Sequence, residues 1–105
     1  MKKRGVIIGP RAAADITGIA RWLRVAAGAA TAERYVRRIR DAAYKLDLAS
    51  ERGIDRSDIS PGLRVVAFEK SGVFAIRVYD AEVTVLRFFY RGRNWEAALK
   101  RGEID

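Results

Sequence analysis

The chain has 105 residues and a formal net charge of +8, so we expect an acidic partner: nucleic acid, an acidic protein or an anionic surface. It has no cysteine, which excludes a disulfide framework and a thiolate nucleophile, and no histidine, the commonest general base. Its apolar runs are too short for a signal peptide or a membrane span. We therefore expect one cytoplasmic domain over residues 1–105.

The first half of the chain predicts a strand and a helical hairpin. Residues 3–9 are rich in β-branched side chains and predict a short strand. An apolar stripe at helical spacing predicts a helix over 11–27, with Gly28 as its C-cap. Thr31 is the predicted N-cap of a second helix that runs to about Arg52. The connection between the helices is so short that they must be antiparallel.

The second half predicts a loop, three strands and a closing helix. Residues 51–62 are polar and rich in turn formers, which favours a loop. Strands are predicted at about 63–70, 73–80 and 82–90. Asn94 is the predicted N-cap of the last helix. The order β-α-α-β-β-β(-α) indicates an α+β domain, an antiparallel sheet with a helical hairpin on one face.

Period-2 alternation along the last two strands sorts their side chains between two faces, if residues 80–82 form a three-residue loop that pairs Arg77 with Val85. A purely apolar set must cover the hairpin: Phe74, Ile76, Val78, Leu86 and Phe88. The other set mixes arginine with apolar groups: Val73, Ala75, Arg77, Tyr79, Val85, Arg87 and Phe89. We predict that this second face is half exposed and open to a partner.

Four segments carry a resemblance to a known family: GPRAAADITGIARWL, AERYVRRIRDA, PGLRVVAFEKSGVFAIRVYD and VTVLRFFYRGRNWEAAL. In order and spacing they resemble the ParE/RelE superfamily, the toxins of bacterial toxin–antitoxin pairs. The resemblance spans nearly the whole chain and implies the RelE/ParE-like fold and a cognate antitoxin. RelE-type members cut messenger RNA in the ribosome, whereas ParE-type members are inhibitors of DNA gyrase.

The sequence offers little for cleaving RNA, which needs a group that removes a proton from a 2′-OH and one that protonates the leaving oxygen. Where RelE-type members place lysines, the chain has Val65 and Ala67. Tyr90 stands where many members carry histidine, and a phenol with a pKa near 10 is a poor base. Lys70 is either catalytic or a solvated turn residue. We therefore favour a ParE-like binding protein with no catalytic residue, no metal and no cofactor.

The alternatives are a RelE-like ribosome-dependent endoribonuclease and a relative that has lost toxicity. The resemblance and the charge pattern select a target-binding set: Arg87, Tyr90, Arg91, Arg93 and Trp95. They also select an antitoxin-binding set: Ile16, Trp22, Arg77 and Tyr79. Some of these residues have structural alternatives. Arg87 could pair with a carboxylate such as Glu69 or Glu96, Trp95 could anchor the last helix, and Trp22 could sit at the core edge.

The implied partners are a cognate antitoxin similar to ParD and, as target, DNA gyrase. We expect no membrane, no small-molecule substrate, and nucleic acid only indirectly through the complex. A cationic protein with a partly apolar face suits an acidic, disordered antitoxin that folds on contact. The charged face of the second helix, with Arg34, Arg37, Arg38 and Lys45, is either solvated or in contact with a polyanion.

Overall fold

A five-stranded sheet carries two long helices across one of its faces. The computed structural model describes residues 3–49, 51–90 and 92–104. Its strands are β1 (Gly5–Ile8), β2 (Ile54–Asp55), β3 (Leu63–Phe68), β4 (Gly72–Val78) and β5 (Glu82–Tyr90). Its helices are α1 (Pro10–Ala27), α2 (Ala29–Tyr44), α3 (Leu46–Ala49) and α4 (Trp95–Lys100). The predicted α+β fold and element order are confirmed.

The sheet is mixed rather than purely antiparallel. Its strand order is β1-β5-β4-β3-β2. β1 runs parallel to β5, and the other neighbours are antiparallel. β2 lies inside the predicted loop 51–62, where two residues pair with β3. No helix among the described residues is both long and apolar enough to cross a membrane.

The helical hairpin turns on one glycine. Gly28 has a φ of 94°, and its N–H donates to the Arg24 carbonyl at 3.1 Å, which confirms it as the C-cap of α1. Because Gly28 reverses the chain by itself, α2 begins at Ala29, and the prediction of Thr31 as N-cap is wrong. The second helix was also predicted too long, since α2 ends at Tyr44 and only the short α3 follows.

The hairpin between β4 and β5 is tighter than predicted. The Tyr79 N–H donates to the Glu82 carbonyl at 2.8 Å, so the loop has two residues instead of three. Arg77 therefore pairs with Thr84, not with Val85. A two-residue loop fits the right-handed twist of the strands it joins.

A β-bulge in β5 changes the face that two side chains occupy. Ala75 pairs with Arg87 but Ile76 pairs with Val85, which leaves Leu86 as the extra residue. Val85 consequently lies in the core under the helices, and Leu86 lies on the opposite face. The prediction for these two residues is wrong, because alternation across a bulge is out of phase. The helix side does hold the other four members of the predicted apolar set: Phe74, Ile76, Val78 and Phe88.

The second face of the sheet is a core of its own. Leu63, Val65, Ala75, Leu86 and Phe89 pack there against Ala98 and Leu99 of α4. Asn94 caps this helix by accepting a hydrogen bond from the Ala97 N–H at 3.1 Å, as predicted. The prediction of a half-exposed second face is wrong for Ala75, Arg87 and Phe89, which are buried, whereas the Arg77–Tyr79 end of this face does stay partly exposed.

Two glycines provide a matched test of this packing. A Cβ at Gly72 would stand 2.5 Å from Phe88 Cζ and 3.1 Å from the Phe89 carbonyl oxygen, whereas a Cβ at Gly18, inside α1, would meet nothing within 4 Å. We predict that Gly72→Ala destabilises the fold by about 1–3 kcal/mol through overpacking. Gly18→Ala should stabilise it by about 0.5–1 kcal/mol through helix propensity. Urea unfolding measures both, and an equal response of the two variants would refute the packing at Gly72.

Candidate functional site

Depressions in the surface meet around Tyr90, at the end of β5. The first, called the aromatic groove, has a volume of about 660 Å³ and runs between α1 and β5; its walls include Asp15, Gly18, Ile19, Trp22, Tyr90 and Arg93. The second, called the cationic depression, has a volume of about 500 Å³; its walls include Thr31, Arg34, Arg38, Lys70, Ser71 and Tyr90. We call the two together the Tyr90 surface.

The aromatic rings of this surface form a connected group. Tyr90 lies 5.9 Å from Trp22 and 5.4 Å from Tyr35, measured between ring centroids. Trp22 is 58% exposed although it is a large aromatic, so most of its ring faces solvent. Tyr35 is buried. Aromatic pairs of this geometry contribute about 0.5–1.5 kcal/mol beyond the area that they bury, so Trp22 and Tyr35 both stabilise the position of the Tyr90 ring.

The phenol of Tyr35 is tied to the turn between β3 and β4. Tyr35 Oη and Ser71 Oγ share a hydrogen bond of 2.6 Å. Burial raises the pKa of Tyr35 above its ordinary value, and the Ser71 hydrogen bond opposes part of this shift. The phenol is therefore neutral at neutral pH and cannot act there as a general base.

The same turn brings charge to the surface. Glu69 has a φ of 49°, which is strained for a residue other than glycine. Its carboxylate accepts from Arg38 Nε at 3.0 Å, and the Arg38 guanidinium lies 5.1 Å from the centre of the Tyr35 ring. Lys70, next in the turn, is exposed. Arg34 donates from Nη2 to Thr31 Oγ1 at 3.3 Å within α2.

The predicted target-binding residues fall into different environments. Tyr90 is half-buried and belongs to both depressions. Arg93 is exposed at the groove, with its guanidinium 5.8 Å from the centre of the Phe89 ring. Arg91 lies outside the described residues. Tyr90 and Arg93 are thus brought together at one surface.

Arg87 is buried, with 3% of its surface exposed. Its Nε and Nη2 donate to the two carboxylate oxygens of Asp15 at 2.7 and 3.0 Å, and its Nη1 donates to the Glu103 carbonyl at 2.6 Å. The alternative of a carboxylate partner is therefore the one observed, but the partner is Asp15 and not Glu69 or Glu96. A bidentate, buried pair of this kind has its donors occupied, which leaves Arg87 a structural role.

Trp95 is half-buried and packs against the second core as the anchor of α4. The Arg56 guanidinium lies 5.5 Å from the centre of its ring and also donates to Glu96 Oε2 at 2.5 Å. Since Arg56 holds the pKa of Glu96 below its ordinary value, this carboxylate is ionised at neutral pH. Trp95 thus contacts both the second core and the Arg56 guanidinium.

The predicted antitoxin-binding residues do not form one site. Ile16 is 3% exposed and lies in the core under the helices. Arg77 donates to the Pro61 carbonyl at 3.2 Å and to Ser60 Oγ at 2.7 Å, so it holds the loop before β3. Tyr79 is 48% exposed and pairs with Glu82 at the start of β5. Trp22, by contrast, contacts Tyr90 at the end of β5. The length of β5, about 26 Å at 3.3 Å per residue, separates these two residues.

Sequence reasoning missed Asp15, Tyr35 and Ser71. Tyr35 lies between Arg34 and Arg38, and the spacing i, i+4 of these arginines did place them on one helix face. No local pattern indicates that Asp15 reaches β5, 72 residues away in the sequence. Among the described residues there is no group of three or more carboxylates that could hold a metal ion.

Comparison with known proteins identifies the class. The sequence matches the family described as "ParE toxin of type II toxin-antitoxin system, parDE" over residues 6–95, and the chain belongs to this family. Among solved structures it is similar to one titled "Chromosomal ParDE TA system from P. aeruginosa", with a TM-score of 0.73 and 24% sequence identity. That match covers 85% of this chain and 97% of the other, and at this identity it shows the fold. No curated protein matches the sequence.

The state of Tyr35 can be tested by following tyrosinate absorbance against pH in the wild type and in Tyr35→Phe. The absorbance that is present in the wild type and missing from Tyr35→Phe belongs to Tyr35. We predict that it appears above the ordinary pKa of about 10, because burial disfavours the phenolate. Since the pKa is raised on folding, the associated stability is present below about pH 10 and is lost as pH rises through the folded value. Ser71→Ala should raise the pKa of Tyr35 further. A Tyr35 that titrates below 10 would make it a candidate base.

Proposed function

We propose that this ParE-family toxin arrests growth by binding DNA gyrase through the Tyr90 surface, without catalysis, and that a cognate antitoxin neutralises it. Family membership supports the toxin role, and the resemblance to ParE-type inhibitors of gyrase is the reason for proposing this target. The observation that carries the proposal is the surface itself, where Arg93 and Lys70 are exposed beside the rings of Trp22 and Tyr90. Exposed aromatic and cationic side chains side by side are typical of residues that dominate binding energy at protein interfaces.

The chemistry of the surface supports binding rather than catalysis. The sequence has no histidine, and the phenol of Tyr35 is held neutral. The carboxylates of Asp15 and Glu69 are both engaged by arginine, at 2.7 and 3.0 Å. Cationic side chains here can bind a phosphate. Cleavage of a phosphodiester would also need a general base to remove a proton and a general acid to donate one. We therefore propose that the protein is not an enzyme.

The antitoxin is expected to be acidic and to fold on the toxin, because the toxin carries a net charge of +8. Its contacts are proposed at Trp22 and at the Arg77–Tyr79 end of β4, which requires an antitoxin chain that spans the length of β5. We leave Ile16 out of this surface since it lies in the core. A toxin with these partners acts in the cytoplasm.

A supercoiling assay with purified gyrase tests the proposed target. Wild-type toxin should inhibit supercoiling, and Arg93→Ala should raise the concentration for half inhibition by at least about tenfold, the effect of losing one interface hot spot. Arg37→Ala is the matched control, because it removes the same charge from the outer side of α2, away from Tyr90. It should change inhibition by less than about twofold.

In cells, Arg91→Ala combined with Arg93→Ala should reduce growth arrest while antitoxin binding is largely retained. Equal loss of both properties would place the target surface elsewhere. If the wild type does not inhibit supercoiling but messenger RNA is cut in a translating-ribosome assay, the proposal is wrong and the protein is a RelE-type endoribonuclease. Inactivity in both assays would refute gyrase as target and indicate a relative without toxicity.

A further inference from the structure

The cationic depression contains more positive charge than the protein neutralises locally. Arg34, Arg38 and Lys70 converge on it, and among the described residues of its walls the one carboxylate is that of Glu69. Arg38 donates to Glu69 from its Nε, so the outer nitrogens of its guanidinium are not needed for that contact and can donate to a ligand. Within the part of the chain that the structure describes, no acidic group is paired with Lys70 or Arg34. This is the charge pattern of an anion site.

Hydroxyl groups add neutral donors to the same depression. Tyr35 Oη and Ser71 Oγ share one hydrogen bond of 2.6 Å, so one of the two hydroxyls still has a proton to give to a ligand. Thr31 Oγ1 accepts from Arg34, and its own proton is likewise available. Several N–H and O–H donors around one concave site match the tetrahedral oxygens of a phosphate group.

An aromatic platform adjoins this anion site. Tyr90 forms a wall of both depressions, and the Trp22 ring beside it is largely exposed. A carboxylate-rich peptide would use the cations and gain little from an exposed indole. A nucleotide uses both, because its phosphate needs cations and its base gains about 1–3 kcal/mol by stacking on an aromatic ring. Gly18 lies in the wall of this groove, and the space beside its Cα is open, since a Cβ there would meet nothing within 4 Å.

We propose that the Tyr90 surface binds single-stranded nucleic acid directly, with a backbone phosphate in the cationic depression and an unpaired base against Trp22 in the aromatic groove. The binding is independent of sequence, because stacking accepts every base and the described walls of the aromatic groove carry no ordered array of donors and acceptors to read base edges. It does not depend on gyrase being the target, and it involves no cleavage.

Fluorescence anisotropy with a labelled oligothymidylate of about 12 nucleotides provides the test. Wild-type protein should bind, with affinity that falls steeply between about 50 and about 200 mM salt. The triple variant Arg34→Ala, Arg38→Ala, Lys70→Ala should lose at least about tenfold in affinity and have a shallower salt dependence, by about 0.7 in logarithmic slope per lost phosphate contact. Circular dichroism and the unfolding midpoint verify that each variant is folded.

The matched control removes three arginines from the outer side of the hairpin: Arg24→Ala, Arg37→Ala and Arg40→Ala. It has the same net charge as the first variant and should lose less than about threefold in affinity. Equal losses in the two triple variants would show that only the net charge attracts the oligonucleotide, and would overturn the proposal. Trp22→Ala should weaken binding by about fivefold or more with its salt dependence unchanged, as expected for lost stacking. No loss on that change would also overturn it.

Competition identifies the ligand class. A duplex of the same length should compete poorly, because its paired bases cannot reach Trp22, and a polyglutamate peptide of equal charge should compete poorly because it has no bases. Effective competition by polyglutamate would make this a site for an acidic polypeptide and refute the proposal. An oligouridylate arm shows whether DNA or RNA is preferred.

Discussion

The carboxylate of Asp15 joins three parts of the chain that are distant in sequence. From α1 it accepts two hydrogen bonds from the Arg87 guanidinium and a third, at 2.9 Å, from the Phe88 backbone N–H. Arg87 in turn donates to the Glu103 carbonyl beyond α4. The ion pair is almost wholly withdrawn from solvent, with 4% and 16% of the two side chains exposed. Loss of either partner would leave a buried charge unpaired, which typically costs about 3–5 kcal/mol.

This junction also closes an exposed strand edge. β1 ends at Ile8, opposite Val85, so within the described ranges the rest of β5 has no parallel neighbour on that side. An open edge of this kind invites pairing with other chains, and native proteins cover or cap it. Here the bulge at Leu86 turns the strand, Asp15 satisfies the Phe88 N–H, and α1 is held at a distance that leaves the aromatic groove beside it. The accessible surface is thereby located at the end of β5.

The sequence predicts those structural features that are determined by residues close to one another in the chain. The helix over 11–27, the C-cap at Gly28 and the N-cap at Asn94 follow from periodicity and capping chemistry within a few residues, and the structure has all three. The family resemblance supplied the fold and the class. The bulge at Leu86 could not be predicted, because nothing in an apolar run marks which residue is extra. Period-2 alternation counted through the bulge therefore assigned Val85 and Leu86 to the wrong faces.

The candidate site was predicted only in part for the same reason. The family resemblance and the charge pattern selected Tyr90 and Arg93, which both line the aromatic groove. The role of Arg87 depends on Asp15, a contact made by tertiary folding alone. The burial of the second sheet face depends on α4, whose six residues carry too little local signal to show where they dock. Tyr35 and Ser71 are brought together because α2 packs beside the turn between β3 and β4, and neither segment alone indicates this hydrogen bond.

A double-mutant cycle on Asp15 and Arg87 decides whether one ion pair organises this fold. The free energy of unfolding would be measured in urea for the wild type, Asp15→Asn, Arg87→Met and the double variant. We expect each single change to destabilise strongly and the double variant to lose far less than their sum, with a coupling free energy of about 2 kcal/mol or more. Effects that add to within about 0.5 kcal/mol would show that the two residues act independently and that the junction does not hold α1 to β5.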